Sequence, residues 1–144
     1  MSFFSFLLTF FLLLCSLVQP TMADDLLLNK KQPNYLPAVK APLANKSLLL
    51  DITKAGETKL VAVGERGHII YSTDALHWQQ ANVPLQSTLT STFFINDSLG
   101  WAVGHDATIL HTQDGGLNWQ VQQYLPSLEK PLLDVVFKTP QEGI

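Results

Sequence analysis

The sequence predicts an all-β fold built from repeated four-stranded sheets. Two segments about 40 residues apart are near copies, residues 63–74 (VGERGHIIYSTD) and residues 103–114 (VGHDATILHTQD). Each copy leads to a tryptophan, Trp78 or Trp119. Short β-prone segments alternate with turn residues in both copies, and no long amphipathic helical pattern is present after residue 23. A period of about 40 residues with four short strands is typical of one blade of a β-propeller.

A third copy begins near the end of the sequence, because residues 132–137 align with residues 89–94. We therefore expect one blade at 48–83, a second at 88–125 and the start of a third at 131–144. Propellers close with about four to eight blades. The repeat count thus predicts an N-terminal fragment of a longer protein, and the alternative is closure of the ring by self-association.

Residues 1–23 are predicted to be a secretory signal peptide. The first 18 residues contain no charged side chain, and small residues at 21–23 precede Asp24. The segment lacks Lys and Arg at its start, and an uncleaved anchor is the weaker reading because a span needs about 20 apolar residues. Lipidation at Cys15 is disfavoured because large leucines precede it. The sequence predicts export to the periplasm or an equivalent lumenal space.

Residues 24–47 are predicted to be a proline-rich linker. Pro33, Pro37 and Pro42 each remove a backbone donor and disfavour helix at the preceding residue. We expect this segment to be extended, either as a free linker or laid along a blade edge.

The composition argues against several classes of function. The net charge is −3 and Arg66 is the single arginine, so no basic stripe is present to bind nucleic acid. The segment after the signal has no cysteine and forms no disulfide. No glycine-rich phosphate loop and no cofactor motif is present.

The sharpest local motif is a turn that starts at Ser or Thr, contains Asp, and ends at Trp. Its aspartate is expected to accept hydrogen bonds from turn amides, and its glycines allow positive φ. Its tryptophan anchors the turn by burying a large aromatic surface. We assign a structural role to Ser72, Asp74, Trp78, Thr112, Asp114, Gly116 and Trp119.

These motifs carry a resemblance to a known family. The turn resembles the Asp-box, or bacterial neuraminidase repeat, and the string from Gly100 to Trp119 resembles the repeat of the photosystem II stability and assembly factor family. The resemblance implies a secreted or lumenal seven-bladed propeller without enzymatic activity. It implies a scaffold that binds a protein client, in particular a membrane protein, during complex assembly. The family's arginine-rich patch has no counterpart beyond Arg66.

The alternative function is a sialidase-like glycoside hydrolase with its active site in further blades. Such a site needs several arginines, because arginine binds a carboxylate bidentately. Other glycosidases need a carboxylate pair, and the repeat places Glu65 and Asp106 in equivalent turns of adjacent blades. Exposed turn residues explain these two carboxylates better, so no catalytic residue is assigned.

The four histidines do not show a metal-ligand spacing, and we predict no metal site. They are His68, His77, His105 and His111. The candidate partner-binding residues lie in the turns before the third strand of each blade, where the two copies differ. They are Glu65, Arg66, His105 and Asp106.

Overall fold

The computed structural model describes residues 35–144 of the 144-residue chain. The predicted signal peptide and residues 24–34 of the predicted linker lie outside the described residues. Within the described part, regular structure consists of short strands and three single 3₁₀ turns, Ala44–Lys46, Glu65–Gly67 and Pro126–Leu128. The prediction of an all-β fold is confirmed.

The first repeat forms one antiparallel sheet with its strands in chain order. These are β1 (Leu49–Ala55), β2 (Lys59–Gly64), β3 (Ile69–Ser72) and β4 (Gln79–Gln80). Strand β2 is buried from Val61 to Gly64. A continuous apolar strand of this kind is expected where both faces of a sheet are covered.

The second repeat forms an equivalent sheet with the same strand order. Its strands are β5 (Leu89–Phe94), β6 (Gly100–Gly104), β7 (Thr108–Thr112) and β8 (Gln120–Gln123). The register of β1 on β2 shifts between Leu49 and Asp51, and that of β5 on β6 shifts between Leu89 and Ser91. Such a register shift is typical of a β-bulge. It occurs at the same repeat position in both sheets, so the two repeats share their backbone conformation there as well as their sequence pattern.

The third repeat contributes a short hairpin, β9 (Phe137–Thr139) and β10 (Glu142–Gly143). The sequence alignment places a strand from residue 132, whereas ladder pairing in the structure starts later. Val136 and Ile144 exchange two backbone hydrogen bonds of 2.9 Å. Among the described strands, β9 pairs only with β10. Backbone pairing in the third repeat therefore begins at Val136, opposite Ile144.

The main core lies between the first two sheets. Its largest fully buried side chains include Val61, Val63 and Ile69 from the first sheet and Leu89 and Leu110 from the second. Successive four-stranded sheets that bury their faces against each other are the packing of propeller blades. The sheets are thus two neighbouring blades.

Each blade also has an outer apolar face. On the first blade, Ala62 and Ile70 are buried with Ala44 and the half-buried Trp78. On the second blade, Trp101 stacks on Phe137 of the third repeat, with ring centroids 3.6 Å apart and an interplanar angle of 13°.

The described part of the linker runs along the outer edge of β4. The N–H of Ala38 donates to the carbonyl oxygen of Val83 at 3.0 Å. The Lys40 Nζ donates to the carbonyl oxygens of Gln80 and Ala81 at 2.6 and 2.8 Å. These contacts satisfy acceptors that an edge strand leaves open.

Candidate functional site

Alternating strand directions divide the turns of each blade between two ends. The turns after the first and third strands lie at one end, which contains both tryptophan-ending turns. The turns after the second strands, Glu65–Gly67 and 105–107, lie at the opposite end. The structural and the partner-binding candidates therefore occupy different ends of the blades.

The turn from Thr112 to Trp119, the second Asp-box, is organised around one carboxylate. Asp114 Oδ1 accepts the N–H groups of Leu117 and Asn118, both at 3.0 Å, and Oδ2 accepts the Asn118 side-chain amide at 2.7 Å. Thr112 Oγ1 donates to Asp114 at 2.9 Å and accepts the Gly116 N–H at 3.1 Å. The side chains thereby satisfy amides that the turn leaves without strand partners.

Trp119 joins this turn to the neighbouring blade. Its Nε1 donates to the carbonyl oxygen of Gly116 at 3.0 Å, and the residue is only 4% exposed. The indole makes an edge contact with Phe94, with centroids 6.0 Å apart and planes at 86°. Its backbone N–H donates to the carbonyl oxygen of Asn82, which follows β4 in the first blade. The turn is therefore part of the interface between blades.

The turn from Ser72 to Trp78, the first Asp-box, repeats the carboxylate-centred bonds. Asp74 Oδ1 accepts the N–H groups of Leu76 and His77 at 2.9 and 2.8 Å and the Ser72 hydroxyl at 3.0 Å. The difference is at Oδ2, which contacts His77 Nδ1 at 2.6 Å. A titratable imidazole thus replaces the amide of Asn118.

The electrostatics of the two turns follow from these contacts. The hydrogen bond from His77 lowers the pKa of Asp74 well below its usual range, and the same bond raises the pKa of His77 above 6.5. Partial burial would raise the pKa of Asp114, but hydrogen bonds from Asn118, Thr112 and Leu117 together hold that pKa below its ordinary value. Both aspartates are therefore anionic acceptors at neutral pH.

Both carboxylates at the opposite end of the blades are engaged within the chain. Glu65 Oε1 accepts the N–H of Leu48 at 3.2 Å, and Asp106 Oδ2 accepts the Ser87 hydroxyl at 3.1 Å. Each bond connects a turn to the segment that enters the first strand of its own blade. The half-buried Glu65 thus contacts the backbone of the entering segment, and Asp106 contacts the Ser87 hydroxyl, which also lies 2.9 Å from the carbonyl oxygen of His105.

Arg66 and His105 are the exposed candidates at this end. Arg66 has φ 56° and Asp106 has φ 58°, so both turns adopt the left-handed conformation at the same repeat position. The structure brings the four candidates to one end of adjacent blades. The carboxylates of Glu65 and Asp106 accept hydrogen bonds from within the chain, whereas the side chains of Arg66 and His105 are exposed to solvent.

The remaining histidines have packing contacts. His68 is buried, with Nδ1 3.0 Å from the Ser47 hydroxyl. His111 packs beside Trp101, with centroids 5.2 Å apart, and burial lowers its pKa. Among residues 35–144, no three His, Cys, Asp or Glu side chains are close enough to hold a metal ion.

One open cleft of about 660 Å³ lies between the second blade and the third repeat. Trp101, His111 and Phe137 contribute to its wall. The titratable group of this wall is His111, and the arrangement provides neither a carboxylate pair nor a nucleophile beside a base.

Two structural contacts were missed at the sequence level. The first is the bond between His77 and Asp74, and its available signal was that the two residues lie three apart within one turn. The second is a contact of Asp51 with Ser91. Asp51 and Ser91 occupy the same position of the repeat, and this alignment was the sequence signal for a contact between adjacent blades.

No helix within the described residues has the length and apolar character needed to cross a membrane.

Comparison with known proteins identifies the repeat. The sequence profile of the family described as "Photosynthesis system II assembly factor YCF48" matches residues 70–143, from β3 to β10. A photosystem II assembly protein Ycf48 of Synechococcus sp. (strain JA-3-3Ab) is 52% identical over 54 residues, which is 36% of this chain and 16% of that protein.

Two further relatives have the same name. The protein of Synechococcus sp. (strain JA-2-3B'a(2-13)) is 50% identical over 54 residues, with the same two shares. That of Thermosynechococcus vestitus is 37% identical over 43 residues, 30% of this chain and 12% of the relative. The chain thus matches only a small part of each relative's length. Because the profile covers just over half of the chain, including Trp101 and Trp119, the chain belongs to the Ycf48 family of photosystem II assembly factors.

Proposed function

We propose that this chain is part of an exported, non-catalytic propeller scaffold that binds a protein client during assembly of photosystem II. The observation that carries the proposal is the profile match across the blade repeat, together with relatives named as photosystem II assembly proteins. The client we propose is a membrane-protein subunit of that complex, which the propeller would bind on the lumenal or periplasmic side of the membrane.

The proposed contact surface is the blade end that presents Arg66 and His105. Their side chains are exposed on adjacent blades, whereas Glu65 and Asp106 at the same turns hold the chain itself. A change at Arg66 or His105 therefore alters the surface with little effect on the fold. Glu65 and Asp106 contribute by fixing the turns.

The engagement of these two carboxylates also argues against Glu65 and Asp106 as a catalytic pair. A catalytic pair needs one protonated acid and one free base or nucleophile facing the substrate. Glu65 and Asp106 instead accept hydrogen bonds from Leu48 and Ser87. We therefore propose a binding role for this end of the blades.

Client capture tests the proposal. The tagged protein, expressed in a photosynthetic host, is recovered with and without the double change Arg66→Ala and His105→Ala. We expect recovery of photosystem II subunits to fall about fivefold or more, since the few residues that dominate an interface, among which arginine is enriched, each cost about 1 kcal/mol or more when truncated. The matched control changes Lys54 and Glu57, two exposed residues outside those turns, to Ala. Equal recovery from both variants would eliminate the Arg66 and His105 turns as the contact surface.

Export is tested separately by mass spectrometry of the mature protein. Cleavage after Ala23 predicts an N-terminus at Asp24 in the lumenal or periplasmic fraction. An intact N-terminus in the cytoplasmic fraction would contradict the proposed location.

A further inference from the structure

One position of the repeat recurs in β1, in β5 and in the segment before β9, and its side chain in β5 contacts the other two. Asp51 lies in β1, Ser91 lies in β5, and Asp134 lies shortly before β9. Alignment of the repeats places all three at the same site, just after the bulge in the first two blades. Strands β1 and β5 are edge strands of their sheets, so their outer amides need acceptors from outside the ladder.

Asp51 supplies such an acceptor to the next blade. Its Oδ1 accepts the N–H of Ile52 at 2.8 Å, within its own strand. Its Oδ2 accepts the N–H of Thr92 at 2.8 Å and the Ser91 hydroxyl at 3.1 Å, both in β5. One carboxylate thus bonds the backbones of two adjacent blades. Bonds of this charge-assisted type are stronger than neutral ones.

Ser91 extends the connection to the third repeat. Its hydroxyl lies 2.9 Å from Asp134 Oδ1, which also accepts the N–H of Val135 at 2.8 Å. A hydroxyl has one proton to donate, yet Ser91 faces a carboxylate oxygen from the blade on each side. Ser91 is also buried, at 6% exposure. Its single proton can therefore be donated to only one of the two carboxylates at a time.

We propose that Asp51, Ser91 and Asp134 form a joint that sets the spacing of consecutive blades, with Ser91 as the shared donor. Each carboxylate accepts backbone amides, and the hydroxyl lies between them as a donor. Because the joint lies outside the apolar core, it fixes how the blades align without adding to the area they bury. This inference is independent of any client.

Amide hydrogen exchange of the folded chain tests the contact between Asp51 and Thr92. In Asp51→Ala the Thr92 amide loses its acceptor, and we expect its exchange rate to rise about tenfold or more. The control Glu57→Ala removes an exposed carboxylate of the same blade and should leave that rate within about twofold. An unchanged Thr92 rate in Asp51→Ala would overturn the proposal.

A milder variant covers the case in which Asp51→Ala does not fold. Asp51→Asn leaves one oxygen for the two N–H groups of Ile52 and Thr92, so at least one of the two amides must exchange faster. Unaltered protection of both would reject the joint.

A mutant cycle tests whether Ser91 bonds to both Asp51 and Asp134. Ser91→Ala should lower the urea midpoint of the native chain, but it should not lower the midpoint once Asp51 and Asp134 are both alanine, because the buried hydroxyl then has no partner to lose. Non-additivity is the signature of groups in one hydrogen-bond network. Equal effects of Ser91→Ala in both backgrounds would show that the three residues act separately.

Discussion

The turn that ends at Trp119 and the turn that ends at Trp78 are built around the same carboxylate-centred bonds. In each, an aspartate accepts two backbone amides and the hydroxyl two residues earlier. Their surroundings differ within residues 35–144. Trp119 is buried between two sheets, whereas Trp78 is half-buried against Ala62 and Ile70, on the face of the first blade that no second four-stranded sheet of the described residues covers. The motif therefore builds a turn by itself, while its contribution to stability depends on the neighbouring blade.

The side chains that bind each aspartate also differ in whether they contact a neighbouring blade. The Asn118 amide that binds Asp114 also has an oxygen that accepts from the Asn82 side chain at 2.7 Å, a link to the first blade. His77, which binds Asp74, is 86% exposed. The first turn thus has a local, titratable pair at the position where the second turn has an amide that also contacts the preceding blade. Substitutions at equivalent positions of the two turns should therefore separate the stability that comes from bonds within the turn from the stability that comes from contacts between blades.

The largest difference is expected at the two tryptophans. Trp119→Ala should lower the free energy of unfolding by about 3–5 kcal/mol, because it leaves a cavity beside Phe94 in the core. Trp78→Ala removes a half-exposed side chain and should cost about 1–2 kcal/mol. Urea unfolding followed by circular dichroism measures both. Similar losses for the two variants would show that burial between blades is not what distinguishes the turns.

The next effect is expected at Gly115, where the second turn needs positive φ. Gly115 has φ +72°, and an added Cβ would lie 2.6 Å from the carbonyl oxygen of Asp97 and closer still to the Lys59 ammonium. Gly115→Ala should therefore destabilise the chain by about 2–3 kcal/mol, from backbone strain and crowding together. The thermal midpoint checks this, and an unshifted midpoint would refute the close approach.

The reverse change in the first turn should stabilise it by a smaller amount. Ala75 has φ +61°, a conformation that favours glycine. Ala75→Gly should raise the free energy of unfolding by up to about 1 kcal/mol, since relief of strain exceeds the entropy that glycine adds to the unfolded chain. A lower stability in this variant would mean that Ala75 is not strained.

The smallest effect is a pH dependence confined to the first turn. Since the folded pKa of His77 is raised, its bond to Asp74 contributes fully below the unfolded pKa of about 6.5 and is lost as pH rises through the folded pKa. His77→Asn, which introduces the amide that Asn118 provides in the second turn, should remove this dependence. Amide shifts of Leu76 and His77, followed by NMR across the imidazole titration, report it. Equal titration of Leu117 and Asn118 amides would contradict a local origin.

Much of the fold could be predicted from the repeat. Paired copies of the Val-Gly strand and the tryptophan-ending turn indicate four-stranded blades, because a hydrophobic pattern at a fixed period requires each unit to pack on the next. The pairing of Asp74 with Ser72, and of Asp114 with Thr112, depends on neighbours in sequence. Local chemistry was sufficient there.

Other features depend on residues distant in the chain. No local pattern indicates that Glu65 and Asp106 hold Leu48 and Ser87 while Arg66 and His105 remain exposed, because those partners lie about 20 residues away. The contact of Asp51 with Thr92 likewise requires two sheets to be in place.

By itself, the sequence determined the all-β blades and their repeated turns, because strand periodicity and turn hydrogen bonds act over a few residues. Only the tertiary structure decided which tryptophan is buried, which carboxylates are engaged and which strands are joined. Those outcomes follow from the stacking of one sheet on the next, which brings together side chains about 40 residues apart.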